Sequence, residues 1–317
     1  MPFSHPYTLY ISGSLAYDRI MDFPGKFSDH ILPDKIHILN VCFTVNGMME
    51  KFGGTAGNIA YNLALLEETP LILGSAGKDF DRYEAWLKQN HIPTEAIRII
   101  PEEFTAGAYI TTDQSDNQIT GFNPGAMKHA CEYSVTIAEG QRAIGIISPG
   151  CVDDMRGYSR RFKALHIPYI CDPGQQIPVL GKDALTEMIT GAGILISNDY
   201  ELEMIQNATG LTQALLREKT GALITTLGEQ GSLVWDGAAE TRIPAVPAER
   251  VLDPTGAGDA YRAGLIKGLV MENPLRKAAE MGATCASYAV ACHGTQEHRF
   301  DLADFWKRHE RQFGKAE

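Results

Sequence analysis

Long apolar runs are absent. No stretch approaches the roughly 20 residues that a membrane span needs. The first residues also lack the basic and apolar regions of a secretory signal. Cysteines are few and scattered: Cys42, Cys131, Cys151, Cys171, Cys285 and Cys292 form no CxxC pair. That pattern speaks against a disulfide framework and for buried free thiols in a reducing compartment, so a cytoplasmic protein is expected. Positive charge is in short supply, with 28 Lys and Arg against 39 Asp and Glu, a formal charge of −11. No nucleic-acid or membrane partner is therefore expected, since either would need a basic face. A phosphate ligand stays compatible, because backbone amides and a metal can hold it.

Familiar motifs are missing too. The chain has no GxxxxGK[ST] loop, no HExxH and no GxSxG, which removes the common NTPase, metalloprotease and hydrolase readings. Gly256-Ala257-Gly258 lacks the third glycine of a dinucleotide fingerprint, because Tyr261 stands there. The nine histidines show no ligand spacing, and His293 and His298 read as polar surface residues. The acidic stretch 113–117 lacks the glycine and glutamate that a calcium loop needs at its sixth and twelfth positions.

What is present points to an α/β protein. At 317 residues, with 44% hydrophobic and 21% charged residues, the chain can bury one large core. Leu9–Ser12 and Leu71–Gly77 read as strands, and 79–89 as a helix. From Ala143 the pattern alternates: strands at 143–148, 169–171, 193–197 and 222–226, separated by helices near 154–165, 182–189, 200–206 and 212–218. A hairpin at 232–235 and 242–246 precedes helices after 260, near 274–292 and near 302–312. Such alternation predicts a mostly parallel sheet flanked by helices on both faces, in a single domain over 1–317. Two β-rich pieces, at 36–45 and 106–122, break the pattern. A small β lid is expected, built from segments near 36–50 and 106–122, that either closes over a substrate or pairs across a homodimer.

Two Gly-rich stretches enter helices. In Asp253-Pro254-Thr255-Gly256-Ala257-Gly258-Asp259 the glycines allow close backbone approach, and the helix start offers amides and partial positive charge. Such a place binds phosphate. Asp259 would repel it, so the carboxylate has either a capping task or a proton-accepting one. In Gly53-Gly54-Thr55-Ala56-Gly57-Asn58, Asn58 either caps the helix locally or presents its amide to a bound hydroxyl. Asp18 and Asp22 follow the first strand end, as solvated loop carboxylates or as site residues.

These pieces resemble the ribokinase-like (PfkB) carbohydrate and nucleoside kinases. The 253–261 segment resembles the family's D-T-x-G-A-G-D-x-F signature, departing at Pro254 and Tyr261. The 53–58 segment resembles its GG-x-x-x-N, and Gly13 to Asp18 its G-S/N-x-x-x-D. Asn198 to Glu201 resembles its N-x-x-E, and Thr226 to Gly231 its T-x-G-x-x-G. All five stand in family order and span nearly the whole chain.

The resemblance implies a ribokinase-like three-layer fold and ATP-dependent phosphorylation of a hydroxyl. It implies Asp259 as catalytic base, with the amides of Gly256, Ala257 and Gly258 as an anion hole. Asp18, Gly54 and Asn58 become ligands of sugar hydroxyls, and Asn198, Thr226 and Gly228 part of the ATP site. Glu201 would organise Mg²⁺ through water. Asp253, with Gly294-Thr295, matches loops that often hold a monovalent cation such as K⁺. Ala283 stands where ribokinase often has Asn, so adenine contacts do not carry over. Thr55, in place of a ribokinase lysine, and the stretches around Ala108 and Gln118 look more like the prokaryotic adenosine/nucleoside kinases. Phe43, Met48, Met49, Phe104 and Phe122 either line an apolar slot for a nucleobase or form the lid's own core. The expected acceptor is adenosine, with inosine and guanosine tolerated. Ribose or a related sugar is the alternative, and a non-catalytic nucleotide-binding regulator is the reading from another class.

Overall fold

The computed structural model describes residues 7–38, 40–115 and 117–314. Leu39, Asp116 and the first residues, on which parts of the sequence reading fall, lie outside the described residues. Among the described residues there are thirteen strands. They are β1 Tyr7–Ser12, β2 Ala16–Asp22, β3 Met48–Gly53, β4 Pro70–Gly77, β5 Ile97–Ile100, β6 Ala106–Thr112, β7 Gln118–Asn123, β8 Arg142–Ile147, β9 Tyr169–Cys171, β10 Ile194–Asn198, β11 Ala222–Thr226, β12 Ser232–Trp235 and β13 Glu240–Ile243. The α-helices are α1 Thr55–Leu65, α2 Asp81–Gln89, α3 Val152–Ala164, α4 Ile177–Ile189, α5 Asp199–Thr209, α6 Gln213–Lys219, α7 Ala257–Val270, α8 Leu275–Ala289 and α9 Leu302–Phe313.

The large sheet runs β13-β12-β11-β10-β9-β8-β1-β4-β5. Pairing is parallel from β11 to β5, and only β12 and β13 are antiparallel. Its middle strands are apolar on both faces because helices cover both. Alternate side chains divide between two cores. Ile11, Ile72, Ile146, Ile196 and Ile224 pack with α1, α7 and α8. Tyr10, Leu73, Ile147, Leu195 and Leu223 pack with α3, α4, α5 and α6. Among the described residues no helix is long and apolar enough to cross a membrane.

The second sheet runs β3-β2-β6-β7. Its β6–β7 hairpin falls where the alternation places it, but the 36–45 strand does not exist. Pro33–Ile38 forms 3-10 turns and the chain after it is irregular. Phe43 instead packs 4.8 Å from Phe23 and 5.0 Å from Phe27, an aromatic cluster that buries apolar rings without strand pairing. The sheet's inner strands are β2, which carries Asp18 in place of the loop that was one of its two expected settings, and β6; β3 and β7 are its edges. Strand β5 was not foreseen. Helix α4 starts before its expected span and bends where Gly181 takes φ +68°. Of the cysteines, Cys131, Cys171 and Cys285 are buried, but Cys42 is exposed. His298 is not a surface residue: it is 2% exposed, bonded through Nε2 to Asn62 Oδ1, and set edge-on to Tyr61. Burial pushes its pKa down to about 4, so the ring is neutral.

The strand order places the site. From β1 the chain moves to β4 on one side, and β8 lies on the other. That is a topological switch point, where a crevice opens at the carboxyl ends of parallel strands.

Candidate active site

Strand ends deliver most of the cavity wall. Ser14 follows β1, Pro149 follows β8, Asp172 follows β9, Asn198 ends β10 and Thr226 ends β11. The cavity they line holds about 470 Å³. The starts of α1 and α7 close it from one side, and β2 and β7 of the second sheet reach it from the other.

Helix α1 begins at a backbone that only glycine tolerates. Gly54 has φ +89°, and a Cβ there would lie 2.6 Å from the Ser14 carbonyl. The turn is then laced to two strand ends. Thr55 N–H donates to Ser14 Oγ at 3.0 Å, and Thr55 Oγ1 donates to the Pro149 carbonyl at 2.8 Å. One turn into α1, Asn58 donates through Nδ2 to Asp259 Oδ2 at 2.8 Å. Gln296 donates to the Asn58 Oδ1 at 3.0 Å. Asn58 thus serves the carboxylate directly and keeps one N–H for a ligand.

Helix α7 begins at Gly256, in the left-handed region at φ +79°. Gly256 and Gly258 line the cavity, but Ala257 does not, and its N–H turns to the Pro254 carbonyl at 3.2 Å. Asp259 lies in the first helical turn with its carboxylate toward the cavity. Burial pushes its pKa up to about 6, and the Arg262 guanidinium and the Asn58 amide hold it from rising further. Arg262 was not singled out from sequence. It is buried, grips Asp172 through two bonds of 2.5 and 2.6 Å, and donates to the Gly258 carbonyl at 2.9 Å. It therefore braces the turn that holds Asp259. Only its spacing after Asp259, one helical turn on, hinted at this.

Asp18 lies on β2, its carboxylate over Gly53, where a Cβ would be 2.6 Å from Oδ2. Burial and the charge of Asp253 raise its pKa. Across the cavity, Asn198 and Glu201 form a capping box at the start of α5: Glu201 N–H donates to Asn198 Oδ1 at 2.7 Å and Asn198 N–H to Glu201 Oε2 at 2.9 Å. The carbonyl end of Asn198 is committed there, so its amide N–H₂ is the part left for a ligand. Thr226 and Gly228 line the same wall. Asp253 lies outside the cavity lining and ties two loops, accepting from Thr255 N–H at 2.9 Å and Gly294 N–H at 3.1 Å. Among the described residues no cluster of three His, Cys, Asp or Glu side chains holds a metal alone. A cation bound beside Glu201 would need phosphate oxygens as well, and the chemistry of this wall fits that.

Of the five lid residues, Phe122 alone lines the cavity, and it is 52% exposed. Phe43 belongs to the aromatic cluster, while Met48 and Met49 are exposed on β3 and Phe104 stacks under Lys78. Ala283 is buried in the core between α7 and α8, away from the cavity.

A parallel sheet covered on both faces, a small second sheet, and a Gly-rich helix start with a carboxylate at the switch point together define the ribokinase-like α/β fold. The pfkB family carbohydrate kinase model matches residues 29–300, and the chain belongs to that family. A nucleoside kinase of Methanocaldococcus jannaschii is 32% identical over 81% of this chain and 85% of its own length. The solved structure of that organism's nucleoside kinase has a TM-score of 0.86, at 29% identity over 96% of this chain and 98% of that one. The nucleoside kinase of Burkholderia thailandensis, solved with inosine, has a TM-score of 0.83 at 35% identity, covering 97% of this chain and 99% of that one. The same enzyme has also been solved with ADP and inosine, at 36% identity and a TM-score of 0.81.

Proposed function

We propose that this protein is an ATP-dependent nucleoside kinase that phosphorylates the 5′-hydroxyl, with adenosine as acceptor and inosine and guanosine tolerated. One observation carries the proposal: Asp259 stands at the α7 start in one cavity with Asp18 on one side and Asn198 and Glu201 on the other. A base is thus held between a place for a diol and a place for phosphates. The likeness to an enzyme solved with inosine supports a nucleoside over a free sugar. So does Phe122, a flat apolar ring on the cavity wall.

Asp18 and Asn58, with the backbone at Gly54, hold the ribose hydroxyls. The 5′-oxygen gives its proton to Asp259 as it attacks the γ-phosphorus. The bond to the β–γ bridging oxygen breaks, and ADP leaves. The amides of the α7 start and the positive end of the helix stabilise the transferred phosphoryl group, where positioning and charge do most of the work. Thr226, Gly228 and the Asn198 amide line the nucleotide side. Mg²⁺, when bound with ATP, would supply charge neutralisation there, and Glu201 is the residue that would help to hold it.

An ADP-release assay over adenosine, inosine, guanosine, cytidine, ribose and fructose tests this. Turnover of adenosine is the expected result. Turnover of ribose with no nucleoside turned over would establish a sugar kinase. ATP binding with no turnover of any acceptor would establish a regulator.

A further inference from the structure

The hydrogen bonds behind Asp259 form a chain with a built-in direction. It starts at Trp86 on α2, whose indole N–H can only donate. Nε1 meets Gln296 Oε1 at 2.9 Å. Turning the Gln296 amide over would set N–H against N–H, so its oxygen must face Trp86. Its nitrogen then faces inward and donates to Asn58 Oδ1 at 3.0 Å and to Tyr83 Oη at 2.6 Å. Tyr83 sends its own proton to the Gly53 carbonyl at 2.8 Å, so it has none to return. The Asn58 amide is now fixed in its turn. Its oxygen is held by Gln296, and its nitrogen must face Asp259. Gln296 is 2% exposed and Tyr83 fully buried, so water has no room to stand in for a lost partner. The chain is packed onto α1 itself, since a Cβ on Gly57 would fall 1.9 Å from Tyr83 Oη.

We infer that Gln296 is a positioning residue for phosphoryl transfer: it holds the Asn58 amide in the one orientation that donates to Asp259, and Trp86 holds Gln296 in turn. The inference rests on the reading of Asp259 as the base. A donor to a carboxylate favours its ionised form, the form that accepts a proton. Without Gln296, Asn58 is free to turn its oxygen toward the carboxylate and withdraw that support. The charged groups around Asp259 are Arg262 on its own helix, Asp172 after β9 and Glu201 on α5, with Tyr83 on α2 behind it and Asp18 on β2 in the same cavity. None of them changes in the variants below.

The test is the kcat–pH profile, from about pH 5 to 9, at saturating nucleoside and ATP. It compares the wild type with Gln296→Met, Trp86→Phe and Asp259→Asn, each checked by thermal melting. Gln296→Met should move the acidic limb up by about one pH unit, the scale of one charge-assisted hydrogen bond. Its KM for the nucleoside should rise by no more than about tenfold, because Asp18 and the backbone at Gly54 still hold the ribose hydroxyls when the Asn58 amide turns. Trp86→Phe keeps the ring stack on Phe52 at 5.4 Å and should shift the limb in the same direction by less. It carries the test alone if Gln296→Met does not fold. A folded variant with lower stability but an unmoved acidic limb shows that Gln296 only plugs the core, and overturns the inference. Near-normal turnover by Asp259→Asn is a separate result, which overturns the base reading itself and the inference with it.

Discussion

Asp259 is held in conflict: three carboxylates share one buried guanidinium, and the desolvated position favours the protonated acid. Its pKa, pushed up to about 6 mainly by burial, sets two pH dependences of opposite sense. The base must be ionised, so kcat is expected to fall as pH drops through about 6. Stability runs the other way. A carboxyl whose folded pKa is raised contributes stability that is full below the ordinary carboxylate range and lost as pH rises through about 6. Asp259→Asn should therefore lower kcat by about 10²–10⁴-fold with nucleoside affinity kept. The same variant should melt above the wild type at neutral pH and level with it near pH 4. Equal melting temperatures at neutral pH would show that the carboxylate is not under this strain. Arg262→Met is expected to be much more harmful to folding. It leaves Asp172 buried, at 3% side-chain exposure, without its partner. A loss of about 3–5 kcal/mol in urea unfolding is expected. In any fraction that folds, the acidic limb of kcat should also move up, because Arg262 helps keep Asp259 ionised.

At the scale of elements, the site depends on two helix starts and on what anchors them. The α1 start is pinned by backbone rather than by flexible side chains: a Cβ on Gly54 would meet Ser14 O at 2.6 Å and Ala16 N at 2.7 Å. Neither atom can swing aside. Gly54→Ala is predicted to cost about 1–3 kcal/mol and to raise the nucleoside KM. A melting curve superimposable on that of the wild type would count against this account. Both starts were legible in the sequence because their chemistry is local: glycine where φ is positive, small residues after it, apolar periodicity beyond. Strands β2 and β3 were not legible. Arg19 on β2 looks like a loop charge until Glu50 on β3 meets it at 2.8 Å and Asp79 at 3.3 Å. Such partners exist only once distant segments pair. The 36–45 stretch misled in the opposite direction. Of its β-forming residues Phe43 packs into the Phe23–Phe27–Phe43 cluster while Ile36 and Ile38 stay exposed, an outcome that no period-two count distinguishes from a strand.

For the molecule as a whole, function depends on how the two sheets cooperate, since both contribute residues to the cavity. Strand β7 is exposed along its length and carries Phe122 to the cavity edge. If the second sheet acts as a lid, saturating adenosine should slow amide hydrogen exchange across β7 and the β6–β7 turn, with little change in β9 or β10. Protection confined to the α1 and α7 starts would instead mean a fixed wall. Phe122→Ala provides the matching kinetic test. It should raise the adenosine KM about tenfold through the loss of one aromatic contact of about 1 kcal/mol or slightly more, and leave the ATP KM alone.

The sequence alone determined the doubly covered parallel sheet, the two Gly-rich helix starts and the residue types gathered around them. Each is written in contacts a few residues long: strand alternation, a helix cap, a positive-φ glycine. Tertiary structure alone decided which of these groups act together. Asn58 and Asp259 are 201 residues apart and Gln296 lies 238 from Asn58, yet they share one hydrogen-bonded line. Arg262 and Asp172, 90 residues apart, brace it. Local pattern specifies an element's shape, but the orientation of a buried amide or the pKa of a carboxylate is set by whatever the fold packs against it, and that is known only when the sheet has closed.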